Sequence, residues 1–288
     1  MGRRLLLFLW VAAMLPLAAA PSHGPKHGYL VISGGMDYHL DVPRFLRLAG
    51  GRERARIVVI PTADVTHPET AAQLARFCTQ SLSGKGFPRA SFAGTHCTVL
   101  HTTDRSLANS RAFAAPLARA TGVWLVGGRQ WRLADAYNGT RTLQAIFALL
   151  ARGGVVGGGS AGASIQASFM VRGSEHPNDN RIMMAPGHET GFGLFTNVAI
   201  DQHVNARHRE NDLAAVMRAH PGMLGLGLDQ GTSITVHGDE LTVNGPGRVA
   251  VWDHKVHHGL GYYYLRTGDR FNTATWTPTL ARRAPAAH

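Results

Sequence analysis

Short apolar runs that stop at glycine or proline recur along this chain, most of them followed by a stretch able to form a helix. That alternation limits the fold more than any other feature. Tyr29-Leu-Val-Ile-Ser-Gly-Gly35, Ala55-Arg-Ile-Val-Val-Ile-Pro61, Cys97 to His101, Gly122-Val-Trp-Leu-Val-Gly-Gly128 and Gly154-Val-Val-Gly157 read as buried strands. Pro68 to Leu82, Ser106 to Ala120 and Leu143 to Ala151 read as helices between them. Strands that are apolar throughout need cover on both faces, and helices at this spacing supply it. The expectation is an α/β fold, a three-layer α/β/α sandwich around a mostly parallel sheet. After Gly225 the pattern changes. Thr232-Ser-Ile-Thr-Val-His237, Glu240-Leu-Thr-Val-Asn244 and Val249-Ala-Val-Trp252 alternate with Gly-Asp and Gly-Pro-Gly turns, which predicts an antiparallel extension, a meander at the sheet edge.

The 288 residues carry 44% hydrophobic and 16% charged side chains, enough to bury one sizeable core, so residues 25–277 are expected to form a single domain. The tail 278–288, with Arg282-Arg283-Ala-Pro, reads as disordered. At the other end, Met1-Gly2-Arg3-Arg4, an apolar run from Leu5 to Leu17 and Ala18-Ala19-Ala20 have the layout of a signal peptide over 1–20, cut between about residues 19 and 24. The run is shorter than the roughly 20 residues of a spanning helix, so the expected protein is secreted or periplasmic, with no stable membrane anchor after cleavage. Two cysteines, Cys78 and Cys97, leave a disulfide and two separate thiols equally open. The net charge of +11 comes from arginines scattered along the chain, not from a basic stripe, and nucleic acid is not an expected partner. A homodimer stays open.

Chemistry concentrates at Gly158-Gly159-Ser160-Ala161-Gly162, a G-x-S-x-G run with a strand before it and a helix-capable stretch, Ala163 to Met170, after it. That context marks a nucleophile elbow, a sharp turn that exposes the serine beside free helix N–H groups. A phosphate cradle would need a following Lys-Ser/Thr or Rossmann glycine spacing, and neither is present. Ser160 is the expected nucleophile. The backbone N–H groups of Ala161 and Gly128 are the expected oxyanion hole, worth roughly 3 kcal/mol per donor in comparable hydrolases. The base must come from another strand end. Asp201-Gln202-His203 follows the apolar run Val198 to Ile200, although spacing alone does not single out His203 among sixteen histidines. Its imidazole is expected to titrate between roughly 5.5 and 7.5. No H-E-x-x-H pattern occurs, and no metal or cofactor is called for.

Val126-Gly-Gly-Arg-Gln130, Gly159-Ser-Ala-Gly-Ala163, and Asp201-Gln-His203 with Arg207 and Arg209 resemble, in order and approximate spacing, the motifs of the cyanophycinase and dipeptidase E peptidase family. Gly225-Leu-Gly-Leu-Asp229 and Gly247 to Asp253 are similar as well. The resemblance implies a class I glutamine amidotransferase-like sheet with Ser160 as nucleophile and His203 as base. It also implies an acidic residue shortly after the serine that orients the histidine, for which Glu175 is the nearest match and Asp179 and Asp201 compete. Gln130, Asp201, Gln202, Arg207 and Arg209 match family positions that bind substrate, and the implied substrate is a peptide or polymer, cyanophycin, cleaved to β-aspartyl-arginine. Short aspartyl or isoaspartyl dipeptides are the alternative, followed by an inactive binding homologue. The sequence departs from the family pattern at Val204, where a phenylalanine is usual, and at Asp212, where an arginine is usual.

Overall fold

The structure, a computed structural model, describes residues 23–176 and 181–282. The expected leader at 1–20 and the competing acid Asp179 lie outside them. The chain runs through β1 (Tyr29–Ser33), α1 (Asp41–Leu48), β2 (Arg56–Ile60), α2 (Ala71–Leu74), α3 (Arg76–Thr79), β3 (His96–Val99), α4 (Arg105–Ala108) and α5 (Arg111–Ala114). It continues through β4 (Gly122–Leu125), α6 (Gln130–Tyr137), α7 (Arg141–Ala151) and β5 (Val155–Gly159). These five strands pair in parallel in the order β1-β5-β4-β2-β3. Successive side chains of a strand serve opposite layers. Leu30, Ile32, Val58, Ile60, Val123 and Leu125 join Leu133, Ile146 and Leu149 of α6 and α7 in one core. Val31, Ile57, Val59 and Trp124 join Phe45 and Leu46 of α1 in the other. Each fully buried aliphatic side chain here contributes about 1.5–3 kcal/mol. The layered sandwich is therefore present, with the class I glutamine amidotransferase-like architecture.

The second half of the chain builds a second sheet. After α8 (Ala161–Ser164) come β6 (Ala167–Phe169), β7 (Phe195–Asp201), α9 (Val204–Arg207), α10 (Leu213–Ala219) and β8 (Leu224–Leu228). Then follow β9 (Ser233–His237), β10 (Glu240–Asn244), β11 (Arg248–Trp252), β12 (Tyr263–Arg266), β13 (Arg270–Asn272) and β14 (Thr277–Thr279). The helix expected over Ala163 to Met170 stops after one turn. Phe192 and Phe195 donate their N–H groups to the carbonyls of Ile165 and Gln166 at 2.7 and 3.0 Å, and β6 then pairs with β7.

The antiparallel extension is divided between the two sheets. β9 pairs antiparallel with β1 and carries β10, β13 and β14 outward, completing nine strands. β11 does not complete the expected meander. It lies between β8 and β12 in a five-strand sheet of order β12-β11-β8-β7-β6. The turn before it is stapled toward β8, with Gly247 N–H donating to Thr232 Oγ1 at 2.7 Å and Arg248 N–H to Asp229 Oδ2 at 2.9 Å. Val249 and Val251 face the main core, while Ala250 and Trp252 face Leu213, Val216 and Met217 of α10. The domain's last strand also passes the expected boundary at 277, because Pro278 and Thr279 pair with β13. Residues 283–288 of the expected tail lie outside the described residues. Cys78 and Cys97 form a disulfide with Cα atoms 5.8 Å apart, tying α3 to β3. Among the described residues no helix is long and apolar enough to cross a membrane.

Candidate active site

Three strand ends converge at the site. β5 ends in Gly157-Gly158-Gly159, and the space around each is taken: a Cβ on Gly157 would meet the Trp124 ring at 2.6 Å, and one on Gly158 would meet Leu125 O at 2.7 Å. Ser160 follows with φ +56° and ψ −120°, a region L-residues rarely occupy, and so stands clear of the sheet. Its N–H donates to Ser33 O at 3.2 Å. His203, two residues past β7, is itself left-handed at φ +56° and ψ +32°, and its N–H donates to Gly34 O at 3.0 Å. The ring lies on Gly35, where a Cβ would come within 2.4 Å of it. The Gly34-Gly35 pair thus seats the histidine.

Ser160 Oγ and His203 Nε2 are 2.9 Å apart, the hydrogen bond that a serine nucleophile and its base require. The other ring nitrogen, Nδ1, lies 3.2 Å from Gln230 Oε1, so Nδ1–H donates to an amide oxygen and Nε2 is left to accept the serine proton. Burial, the Arg207 cation and, less strongly, Arg209 and Arg172 push the His203 pKa down to about 4 against the Gln230 hydrogen bond, which raises it. The imidazole is neutral across the physiological range. Ser160, His203, Arg207, Gly127 and Gly128 open on a cavity of about 390 Å³ whose far walls include Tyr38, Trp124, Phe77 and Asp64. Gly127 is pressed against Ser160, since a Cβ there would sit 3.3 Å from Ser160 Cβ. Gly128 at φ +130° faces Ala63 O, which a Cβ would approach to 2.2 Å.

Peptidase family S51 matches residues 29–244, a span that holds the elbow, His203 and Gln230. The chain belongs to this family. It is a serine peptidase. The S51 relatives include a cyanophycinase of Trichormus variabilis, 29% identical over 271 residues with 86% of each chain covered. A cyanophycinase of Synechococcus elongatus is 31% identical over 198 residues, covering 62% of this chain and 60% of its own. A crystal structure of a peptidase from an acI-B1 Actinobacterium superposes with a TM-score of 0.63 at 21% identity, covering 86% of this chain and 98% of that one. A putative peptidase E protein from Listeria monocytogenes gives 0.51 at 16% identity, over 76% of this chain and 99% of its own.

The other expected site residues of this S51 chain are distributed differently from the sequence expectation. Glu175 is not brought to His203. It is exposed, with Oε1 3.4 Å from His188 Nε2, which also meets Asp135 Oδ1 at 2.9 Å. A solvated carboxylate on a loop gains little by reaching into a cavity, and among the described residues no carboxylate hydrogen-bonds the His203 ring. Asp201 is committed elsewhere: Arg172 donates from Nε to Oδ1 at 2.7 Å and from Nη2 to Oδ2 at 2.8 Å. Arg172 also donates to Asp212 Oδ2 at 2.5 Å, so the acidic departure at 212 has a cation of its own. Gln202 receives Arg209 Nη1 on its backbone oxygen at 3.0 Å and its side-chain oxygen at 3.2 Å, and Gln130 donates to Val171 O and Arg172 O at 2.7 and 2.9 Å. These four expected substrate-binding residues, Gln130, Asp201, Gln202 and Arg209, are buried supports of the site, because a buried polar group must find its partners inside the protein. Arg207 is the one of the five that lines the cavity.

Gln230 is the residue sequence reasoning missed. Its signal was one position beyond Gly225-Leu-Gly-Leu-Asp229, at a strand end, but a neutral amide gives no sign in the sequence that it meets the His203 ring. Asp135, Glu175 and His188 are the one trio among the described residues whose ligand atoms lie within 4.8 Å of one another. It shares no residue with the Ser160 cavity, and the histidines at 203, 208, 257 and 258 form no such group.

Proposed function

We propose that this S51 peptidase is an exported cyanophycinase-like hydrolase that cleaves the multi-L-arginyl-poly-L-aspartate polymer to β-aspartyl-arginine dipeptides. The observation that carries the reading is the 2.9 Å contact between Ser160 Oγ and His203 Nε2 at a left-handed elbow, beside a cavity that Arg207 lines. Ser160 Oγ attacks the scissile carbonyl as its proton passes to Nε2, and the N–H groups of Ala161 and Gly128 stabilise the oxyanion. The C–N bond then breaks as Nε2–H protonates the leaving amine. Water repeats the sequence on the acyl-enzyme. Arg207 receives a substrate carboxylate, for which a guanidinium is suited. The leader and the Cys78–Cys97 disulfide support export, since disulfides persist in oxidising compartments.

Incubation with insoluble cyanophycin tests the substrate: release of β-aspartyl-arginine, identified by mass, is expected. A second reading, a peptidase of aspartyl or isoaspartyl dipeptides, draws support from a cavity of about 390 Å³ with a single guanidinium on its wall, a size that suits a short substrate. Soluble dipeptides cleaved while the polymer is left intact would select it.

A further inference from the structure

We propose that Gln230 is the third member of the Ser160–His203 relay, a neutral one, and that the negative charge facing the imidazolium during attack comes instead from a carboxylate of the substrate held at Arg207. The inference rests on the serine-peptidase reading and adds a reason for substrate choice. Its geometric basis is the pair of contacts on one ring, Ser160 Oγ at 2.9 Å from Nε2 and Gln230 Oε1 at 3.2 Å from Nδ1. Gln230 is itself positioned, because its backbone N–H donates to Asn205 Oδ1 at 2.8 Å, and Asn205 N–H donates to Asp229 Oδ1 at 3.2 Å. Asp229, the nearest acid in the chain, cannot serve in its place. Its other oxygen accepts from the Arg248 backbone at 2.9 Å and from Arg248 Nε at 3.4 Å.

The charges that act on the ring are cations, while the Asp64 carboxylate lies on the far wall of the cavity. Arg207 reaches it from α9, Arg209 from the turn after α9, and Arg172 from the loop after β6. From the end of β1 it meets the backbone of Gly35, and from the loop after β8 the uncharged Gln230. Asp201 and Asp212 pair with Arg172, and Asp201 Oδ1 also lies 3.7 Å from Arg209 Nη1. Among the described residues no carboxylate hydrogen-bonds the ring, so an imidazolium formed here has no bonded counter-ion among them, which agrees with the low pKa of His203. In serine proteases an amide in place of the triad carboxylate costs about 10⁴ in turnover, because it holds the wrong tautomer. Gln230 avoids the tautomer error by presenting its oxygen, but it cannot supply charge. Arg207 lines the same cavity as Ser160 and His203, so a carboxylate bound to it cancels the strongest of the nearby cations and stands close to the imidazolium. Anionic substrates are thus activated as well as bound, and neutral ones meet a weak base.

The test uses the full exported chain and two fluorophosphonates matched in size, one neutral and one bearing a carboxylate, with labelling of Ser160 followed by intact mass at pH 7. Neither probe depends on the natural substrate. The parent should label faster with the anionic probe. Gln230→Glu should speed neutral labelling by at least about tenfold and the anionic reaction by much less, erasing the preference, since a fixed charge within hydrogen-bond distance replaces the borrowed one. Gln230→Leu should slow both by at least about tenfold while circular dichroism and thermal unfolding stay unchanged, as orientation is lost. Equal acceleration of both probes in Gln230→Glu would overturn the borrowed charge, and parent-like rates in Gln230→Leu would overturn the positioning role. Labelling with these patterns but without hydrolysis of any aspartyl substrate would leave the relay intact and remove the substrate assignment. Absence of Ser160 labelling in every variant would remove the serine mechanism and this proposal with it.

Discussion

Ser160 and His203 each sit in a left-handed conformation, and each is held there by a backbone hydrogen bond to a residue at the end of β1. Ser160→Ala should abolish hydrolysis with the fold preserved, and His203→Ala should lower turnover at least about a thousandfold, measured on a chromogenic acyl substrate. Residual Ser160→Ala activity within about tenfold of the parent would rule out the serine mechanism. The pH profile follows from burial and the three neighbouring arginines, which hold His203 at about 4. Because kcat/KM reports the free enzyme, its rising limb should be centred below roughly 5, not in the 5.5–7.5 range expected of an imidazole beside a carboxylate. The kcat limb on a carboxylate-bearing substrate should be centred higher, since bound anion offsets Arg207. A kcat/KM midpoint above roughly 6 would show an unrecognised negative charge at Nδ1. Stability has the same sign: the unfolded histidine, with a pKa near roughly 6.5, binds a proton that the folded one refuses. The contribution is therefore complete above about 6.5 and is lost as pH falls toward 4.

At the level of single elements, the long helix expected from Pro68 to Leu82 is divided into α2 and α3, and the segment that follows turns inward as a wall of the cavity through Gln80, Ser81 and Leu82. The disulfide holds this wall. Cys78 lies in α3 beside cavity-lining Phe77, and its partner Cys97 lies in the edge strand β3. Cys78→Ser with Cys97→Ser should lower the unfolding free energy by about 3 kcal/mol, as expected for a loop of this length, and raise KM more than it lowers kcat. A KM unchanged within twofold, in a variant that does unfold earlier, would separate the wall from substrate binding. The elbow is built on a closer contact. α8 packs on β4 so tightly that a Cβ on Gly162 would lie 2.1 Å from Leu125 O. Gly162→Ala should cost at least about 2 kcal/mol in chemical denaturation, because the added methyl meets the backbone of Leu125 in β4, which cannot swing aside as a side chain would.

Over the whole molecule, the candidate active site is the place where the two sheets meet, with Ser160 delivered by β5 of the first and His203 by β7 of the second. Arg172, fully buried at φ +58°, locks the second sheet by pairing with Asp201 at the end of β7 and Asp212 at the start of α10. Arg172→Leu should destabilise by about 3–5 kcal/mol, measured by denaturant titration, since it strips the buried Asp201 carboxylate of its two charge-assisted hydrogen bonds and leaves only Arg209 Nη1, 3.7 Å away. The same variant with Asp201→Asn should recover part of that loss. The parallel strands, the elbow at Ser160 and the strand end before His203 could be read directly from the sequence, because apolar runs, glycine-bounded turns and G-x-S-x-G are local signals that burial on both faces reinforces. The partner of each polar group could not. Whether Cys78 meets Cys97, whether Asp201 grips substrate or Arg172, and whether His203 leans on Glu175 or Gln230 are decided by which strand ends the packing brings within about 3 Å. In this chain that choice was made by a second sheet, which β11 joins because Gly247 and Arg248 bond to the loop after β8.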